Sequence, residues 1–418
     1  KTLAGEGYCL TDEVDRLYKY DLQNDSEYCL TLYTYLMCSR SLKDTCEKLF
    51  THRNTVLYRI RRIREDFAID TDGTEDRMRL MLSLGLALVM QGRDELFIQE
   101  NYNSNPEIIL SREYDPALGG ANNVSRMIGV GETPIGFSRD AIEDYLCAKT
   151  GKPVTLCGCE GHTKHTTLVA ELNNRDPRLL QTVASPEAGE HSYQLNGKRA
   201  GISSLLPGLY NSSTGYAIAK FFNPAEFSTV HHQGTLDAPL FRYGEILLIR
   251  AEAGAELGLD PELDKTINAL RDRVGFTHHL TANPEQDPKL VKEYPTIKGT
   301  NANLIREIRR ERRVELMAEG YRYSDLMRWA CGLRLNEPKL GIIPDKAAGN
   351  EDPTTYTEEE YKTLETQLGF VNGALDIYTK RVTNPVPNFI EPKNYLFSIP
   401  TDEIGLNPNL KQNTGWNL

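Results

Sequence analysis

The sequence lacks any apolar run close to the roughly 20 residues that a membrane-spanning helix needs. Its longest candidate, residues 80–90, is about half that length and reads as a buried helix. Signal-peptide and lipidation motifs are missing, and so is an initiator Met. The chain opens at Lys1, which a removed leader or an excised piece would each explain. Eight cysteines stand at 9, 29, 38, 46, 147, 157, 159 and 331, irregularly spaced and without CxxC, which excludes a disulfide framework. Cys29, Cys38 and Cys46 fall among helical apolar positions, where a free thiol acts as a small hydrophobe. Reduced thiols there suit a cytoplasmic setting for the first hundred residues.

Catalytic signatures are missing too. GxSxG, the P-loop and HExxH do not occur, and the GxG at 129–131 lacks the third glycine and preceding strand of a dinucleotide site. Carboxylate pairs abound, but nothing in the sequence selects one as acid and base. The expectation is a non-enzymatic protein without cofactor or metal. At 418 residues the chain is long enough for two or three domains, with 39% hydrophobic and 26% charged residues. A net charge of -11 speaks against non-specific nucleic-acid binding by the whole surface, though not against a local basic patch.

Such a patch is present. Residues 28–38 and 41–50 read as helices, the second capped by Ser41, and a tight turn at Phe50-Thr51-His52 leads into a third over residues 53–67. Val56, Ile60, Ile63 and Phe67 recur at i, i+4, i+7 and i+11 and define its buried stripe. The opposite face carries Arg53, Asn54, Tyr58, Arg61 and Arg62, flanked by Arg59 and Arg64, with no acid between His52 and Arg64. Unopposed guanidinium charge on a short helix after a tight turn suits phosphates along a major groove. Arg53, Asn54 and Tyr58 are placed for base edges, and Thr55, Arg59, Arg61, Arg62 and Arg64 for phosphates.

The run SLKDTCEKLFTHRNTVLYRIRRIREDFAIDTDGTEDRMRLMLSLGLAL resembles the C-terminal helix-turn-helix of PucR-type transcriptional regulators, through its LFxHRNTVxYRxxRI core, acidic turn and closing helix over 77–88. The resemblance covers residues 15–98. It implies sequence-specific binding of double-stranded DNA, as a homodimer on a two-part site, in the cytoplasm. The family's upstream ligand-sensing region is absent.

Past Gln99 the texture changes to frequent Gly and Pro, long loops and paired helices. Residues 241–257, ended by Gly258, and 261–274 make one pair; residues 302–319 and 321–329 make another. In LIREIRRERRVELMAEG, arginines alternate with Glu307, Glu311, Glu315 and Glu319, a pattern expected to form ion pairs along and between helices rather than to bind nucleic acid. FRYGEILLIRAEAGAELG, INALRDRVGF, LIREIRRERRVELMAEGYRYSDLMRW and PKNYLFSIPTDEIGLNPNLKQNTGW, with Asn105-Pro106-Glu107-Ile108-Ile109 and Asn174 to Leu179 before them, are similar to the SusD/RagB family. That resemblance implies a non-enzymatic outer-membrane lipoprotein. It would capture a glycan or other polymer fragment for a TonB-dependent transporter barrel. The family's lipidated cysteine and N-terminal half are not in this sequence.

The expected fold is therefore mainly α: a helix-turn-helix bundle over 1–98, then a SusD-like tetratricopeptide-type scaffold with long irregular loops over 101–418. The two parts imply opposite sides of the membrane, so the expectation is a composite of unrelated pieces joined near residues 96–105. For sugar stacking, Tyr210, Tyr216, Phe221 and Phe222 are candidate platforms, with core packing as the competing fate. Cys157, Cys159, His162 and His165 form CxCxxHxxH, whose tight spacing and Gly158 and Gly161 point to an ordinary loop. His231-His232 and His278-His279 read as solvated pairs.

Overall fold

A computed structural model describes residues 12–24, 26–69, 80, 84, 96–103, 105–130, 135–162, 168–184, 212–223, 231–346, 355–377 and 387–416. It is mainly helical. The chain divides into two compact units, residues 1–124 with 225–280 and residues 125–224 with 281–418. No helix among the described residues is long and apolar enough to cross a membrane.

The first unit opens with four helices, α1 (Asp12–Asn24), α2 (Tyr28–Met37), α3 (Leu42–Lys48) and α4 (Arg53–Phe67). Sequence reasoning missed α1, whose buried Val14 and Leu17 are surrounded by polar residues. Its Asp21 is only 3% exposed and bonds the N-terminus of α2: Tyr28 N–H donates at 2.9 Å and Cys29 N–H at 2.7 Å. A carboxylate there satisfies two backbone donors that a helix start leaves without partners. Met37, at the end of α2, is half exposed. Ser41 caps α3 as expected, accepting from Asp44 N–H. Val56, Ile60, Ile63 and Phe67 of α4 are all buried, and each contributes roughly 1.5–3 kcal/mol by leaving water. The interior of this bundle runs from Val14 to Leu84 and, among the described residues, takes in nothing beyond. The closing helix over 77–88 lies outside the described residues except for helical, buried Leu80 and Leu84.

Downstream in the same unit, β1 (Ile108–Arg112) pairs antiparallel with β2 (Ala238–Arg242), which runs into α5 (Tyr243–Glu256). Phe241 and Arg242, expected to begin the helix, belong to the strand. Leu96, Phe97 and Tyr102 are buried with this layer: Tyr102 Oη donates to Leu96 O, and the Arg242 guanidinium lies 5.6 Å from the Phe97 ring centre. Glu107 receives Arg242 Nη1 at 2.6 Å and Arg273 Nη1 at 2.9 Å, all three side chains being buried. A Cβ on Gly244 would meet Arg242 Nη1 at 2.4 Å, so the bare backbone is what lets that guanidinium reach Glu107. The second helix of the pair is shorter than expected. Only α6 (Ile267–Arg273) is α-helical; Leu263–Lys265 before it form a 3-10 turn, and Thr266 Oγ1 donates back to the Pro261 and Glu262 carbonyls.

The second unit is organised around α7 (Ala302–Glu315), followed by α8 (Arg322–Arg328). Ala318 and Gly320, both at positive φ, end the first helix earlier than residue 319. The expected ion pairing is realised almost wholly inside. Arg178 Nη1 reaches Glu315 at 3.0 Å while its Nη2 holds Asp176 at 2.6 Å, and each of these groups is 2% exposed or less. Arg310 pairs with Glu307 and Asp287, Arg312 with Asp325, and Arg313 with Asp140 and Asp144. Arg309 lies 4.6 Å from the Trp329 ring centre and 5.3 Å from that of Tyr294. Charges removed from water are tolerated only when paired and hydrogen-bonded, so this network demands its geometry.

Candidate functional site

On α4, His52 accepts from Asn54 N–H through its ring and starts the helix clear of the turn at Phe50, which has positive φ and is 98% exposed. Arg53, Asn54, Thr55 and Tyr58 are exposed together on the first turns, as a reading head requires. The phosphate set is less uniform than expected. Arg61 pairs with Glu65 at 3.3 Å and Arg62 with Asp66 at 2.7 Å, both one turn on, and Arg59 reaches Glu27, the residue before α2, at 3.0 Å with only 20% of its side chain exposed. The basic face is thus opposed by acids just beyond the run that the sequence pattern delimited. Arg64 is exposed.

The described members of the aromatic set, Tyr216, Phe221 and Phe222, do not form a surface. Tyr216 is wholly buried, its hydroxyl donating to Glu171 at 2.9 Å, and burial with the neighbouring Glu171 carboxylate pushes its pKa well up. Phe222 is 2% exposed. Neither ring can face a sugar. Phe221 is half-buried at positive φ beside the Lys220 ammonium, and Tyr210 lies outside the described residues. Of the histidine pairs, His279 bonds Asp272 at 2.7 Å, while His231 and His232 are exposed.

A different aromatic surface occupies the second unit. A groove of about 320 Å³ is lined by Tyr323 and Leu335, by Pro387 to Phe389 with Asn394, Leu396 and Phe397, and by Trp416. Phe389 forms its floor, buried and edge-on to Tyr395 at 4.9 Å. Asn336 fixes that floor by bonding both the N–H and the carbonyl of Phe389. Trp416 is held by its indole N–H, which donates to the carbonyls of Lys393 at 3.0 Å and Leu396 at 2.9 Å, while Lys393 Nζ sits 4.2 Å from the ring centre. Phe397 projects, 86% exposed, its carbonyl tied by Asn413. Asn388 and Asn394 add amides to the lining. Fixed aromatic faces beside amides are what a ring with an apolar face and hydroxyl edges requires. Sequence reasoning missed this groove, although PKNYLFSIPTDEIGLNPNLKQNTGW already held Asn394, Leu396, Phe397 and Trp416 of its lining.

The comparisons with known proteins divide the chain between residues 86 and 101, not where the two compact units part. Residues 101–416 match the SusD family model, and residues 28–86 match that of the PucR C-terminal helix-turn-helix domain. Among curated proteins, the SusD-like protein P38 of Formosa agariphila is 32% identical over 264 residues, 61% of this chain and 47% of that protein. The chain thus spans about half the length of that relative. Among solved structures, a SusD-like protein of Bacteroides fragilis aligns with TM-score 0.52 at 19% identity, over 82% of this chain and 61% of the other. A SusD-like carbohydrate binding protein of the same species gives 0.52 at 21% identity, over 86% and 72%. At such identities these two likenesses speak to the fold.

Proposed function

This chain belongs to the SusD family, and on that premise we propose that its larger part captures carbohydrate, without chemistry, at the outer membrane for a TonB-dependent transporter. The observation that carries the reading is the groove at the C-terminal end of the family segment, where the Asn336 amide holds the Phe389 main chain, two carbonyls hold the Trp416 indole, and Phe397 stands in solvent. Rings already fixed in place lose little freedom when a sugar stacks on them. The carbohydrate binding of the fragilis neighbour is in keeping with this. A glycan array probed with the full chain, followed by calorimetry on the strongest ligand, tests it. Phe397→Ala is expected to weaken binding about tenfold, the worth of one aromatic contact. A ligand that binds Phe397→Ala as well as the parent chain contradicts the assignment of the groove.

A second reading applies to residues 28–86 alone. The exposed cluster of Arg53, Asn54 and Tyr58 at the start of α4 supports recognition of duplex DNA by a homodimer, each recognition helix entering one half-site. This function and surface capture need different compartments. We therefore read the chain as two segments of separate origin, 1–98 and 101–418, each keeping the machinery of its own family.

A further inference from the structure

The loop that the sequence pattern left as ordinary gathers three thiols and an imidazole at one point. Cys157, Cys159 and His162 come from the tight run; the fourth member is Cys147, ten residues upstream of Cys157. His165, the other histidine of the pattern, lies outside the described residues. The four ligand atoms all lie within 4.8 Å of one another. We propose that Cys147, Cys157, Cys159 and His162 form a structural zinc site.

The distances favour a tetrahedron. Zinc held by sulfur at about 2.3 Å and by nitrogen at about 2.0–2.1 Å sets ligand-to-ligand edges of roughly 3.5–3.8 Å. Cys147 Sγ and Cys159 Sγ are 3.8 Å apart, and Cys157 Sγ is 3.4 Å from His162 Nδ1. A disulfide would need about 2.05 Å, so the first pair is spaced for a shared ion rather than for a bond. The imidazole is aimed as a ligand. Its Nε2 lies 2.8 Å from the carbonyl of Asn173, which can only accept. The proton therefore resides on Nε2, and the Nδ1 lone pair points at the sulfurs, the usual arrangement of a zinc-bound histidine.

The backbone is shaped to the same end. Cys159 N–H donates to Cys157 Sγ at 3.4 Å, the type of bond that stabilises a thiolate. Gly158, between these cysteines, and Gly161, before the histidine, both take positive φ. A Cβ on Gly161 would also press on the Ala170 carbonyl at 3.2 Å. Cys147 is anchored from behind: its N–H donates to Lys152 O, and Ala148 N–H donates to Asn174 O. The turn it pairs with carries Arg175, buried and bonded to the carbonyls of Ile142, Tyr145 and Glu171. His162 and Ala148, the residue after Cys147, are thus tied to adjacent residues, Asn173 and Asn174, of one turn. Three thiolates and one neutral imidazole suit zinc over harder ions such as calcium or magnesium, and four protein ligands leave no open position for catalysis.

The test uses the full chain, reduced and stripped of metal, titrated with cobalt(II) and then zinc(II). The expected result is one equivalent of cobalt, with thiolate-to-cobalt charge transfer and the intense visible bands of a tetrahedral ion, bleached by zinc. Cys157→Ser and His162→Gln should each weaken binding by more than the roughly 10–100-fold that loss of an outer partner costs, while Cys46→Ser leaves it unchanged. Should either ligand variant misfold, the parent chain still decides: zinc should shield three thiols from alkylation, identified by mass spectrometry as Cys147, Cys157 and Cys159. Weak or octahedral cobalt binding, protection of other cysteines, or a Cys147–Cys159 disulfide that excludes metal until reduced and still none afterwards would overturn the proposal.

Discussion

At the scale of single residues, the groups that make the SusD-family segment recognisable are its buried charges. Glu107, Asp176, Arg178 and the glutamates of α7 sit inside, paired to one another, so they hold the fold rather than meet a ligand. Their removal should be expensive in proportion. Glu315→Ala takes one of three carboxylates from Arg178, which keeps Asp176 and Glu311, and is expected to cost about 1.5–3 kcal/mol in urea unfolding. Arg61→Ala, which breaks an exposed pair on α4, should change stability by no more than about 0.5 kcal/mol. Equal costs would mean that the interior network is solvated.

The same network fixes a pH dependence. Burial and the nearby Asp144 and Asp140 carboxylates push Glu293 up to about 7, against the pull of Lys289 and Arg334. Its unfolded value is about 4.3, so the folded state holds the proton more tightly. That contribution is greatest below the unfolded value and is lost as pH rises through about 4.3 to 7. Asp144 runs the other way: despite burial, Lys289 and Arg313 hold it near 2. Its stabilisation is present above the unfolded value of about 3.9 and is lost as pH falls toward 2. Glu293→Gln should remove the decline in thermal midpoint between pH 5 and 8 and leave the acid limb intact. Parallel profiles for parent and variant would contradict the assignment.

At the scale of elements, legibility followed periodicity. The stripe of α4 was visible because four apolar residues repeat at helical spacing and nothing else competes for them. Helix α1 was not, because its buried Asp21 looks like a surface residue until α2 is placed over it. Helix α7 shows the converse: its alternating charges, read correctly as ion pairs, gave no sign that nearly every residue is interior. Tyr216 and Phe222 illustrate why ligand platforms resist sequence reading, since aromatic residues serve cores and grooves alike and only burial separates them. Cys147 lies beside Cys157, Cys159 and His162 on a backbone that Ala148 ties to Asn174, a proximity that local spacing does not encode. For α4 itself, Arg53→Ala should abolish selective retardation of a target duplex. Arg64→Ala should weaken all duplexes alike and reduce the salt slope by about 1. Arg59, partly buried against Glu27, should change that slope less. Equal slopes for the parent chain and Arg64→Ala would remove α4 from the phosphate contacts.

At the scale of the whole molecule, the bundle and the family segment keep separate chemistries. Among the described residues, the hydrophobic interior of α1–α4 extends no further than Leu84, whereas Leu96 and Phe97 already belong to the layer around β1 and β2. The two family matches fall on either side of that change. Composition could not show this division, because a net charge of -11 averages a basic helix with a segment that neutralises its own arginines. The most direct measurement is calorimetric titration of the strongest array glycan into the parent chain, Phe397→Ala and Arg53→Ala. The account predicts saturable binding that Arg53→Ala retains in full and Phe397→Ala weakens about tenfold. Binding that follows Arg53 instead, or no glycan bound by the parent chain, would contradict it.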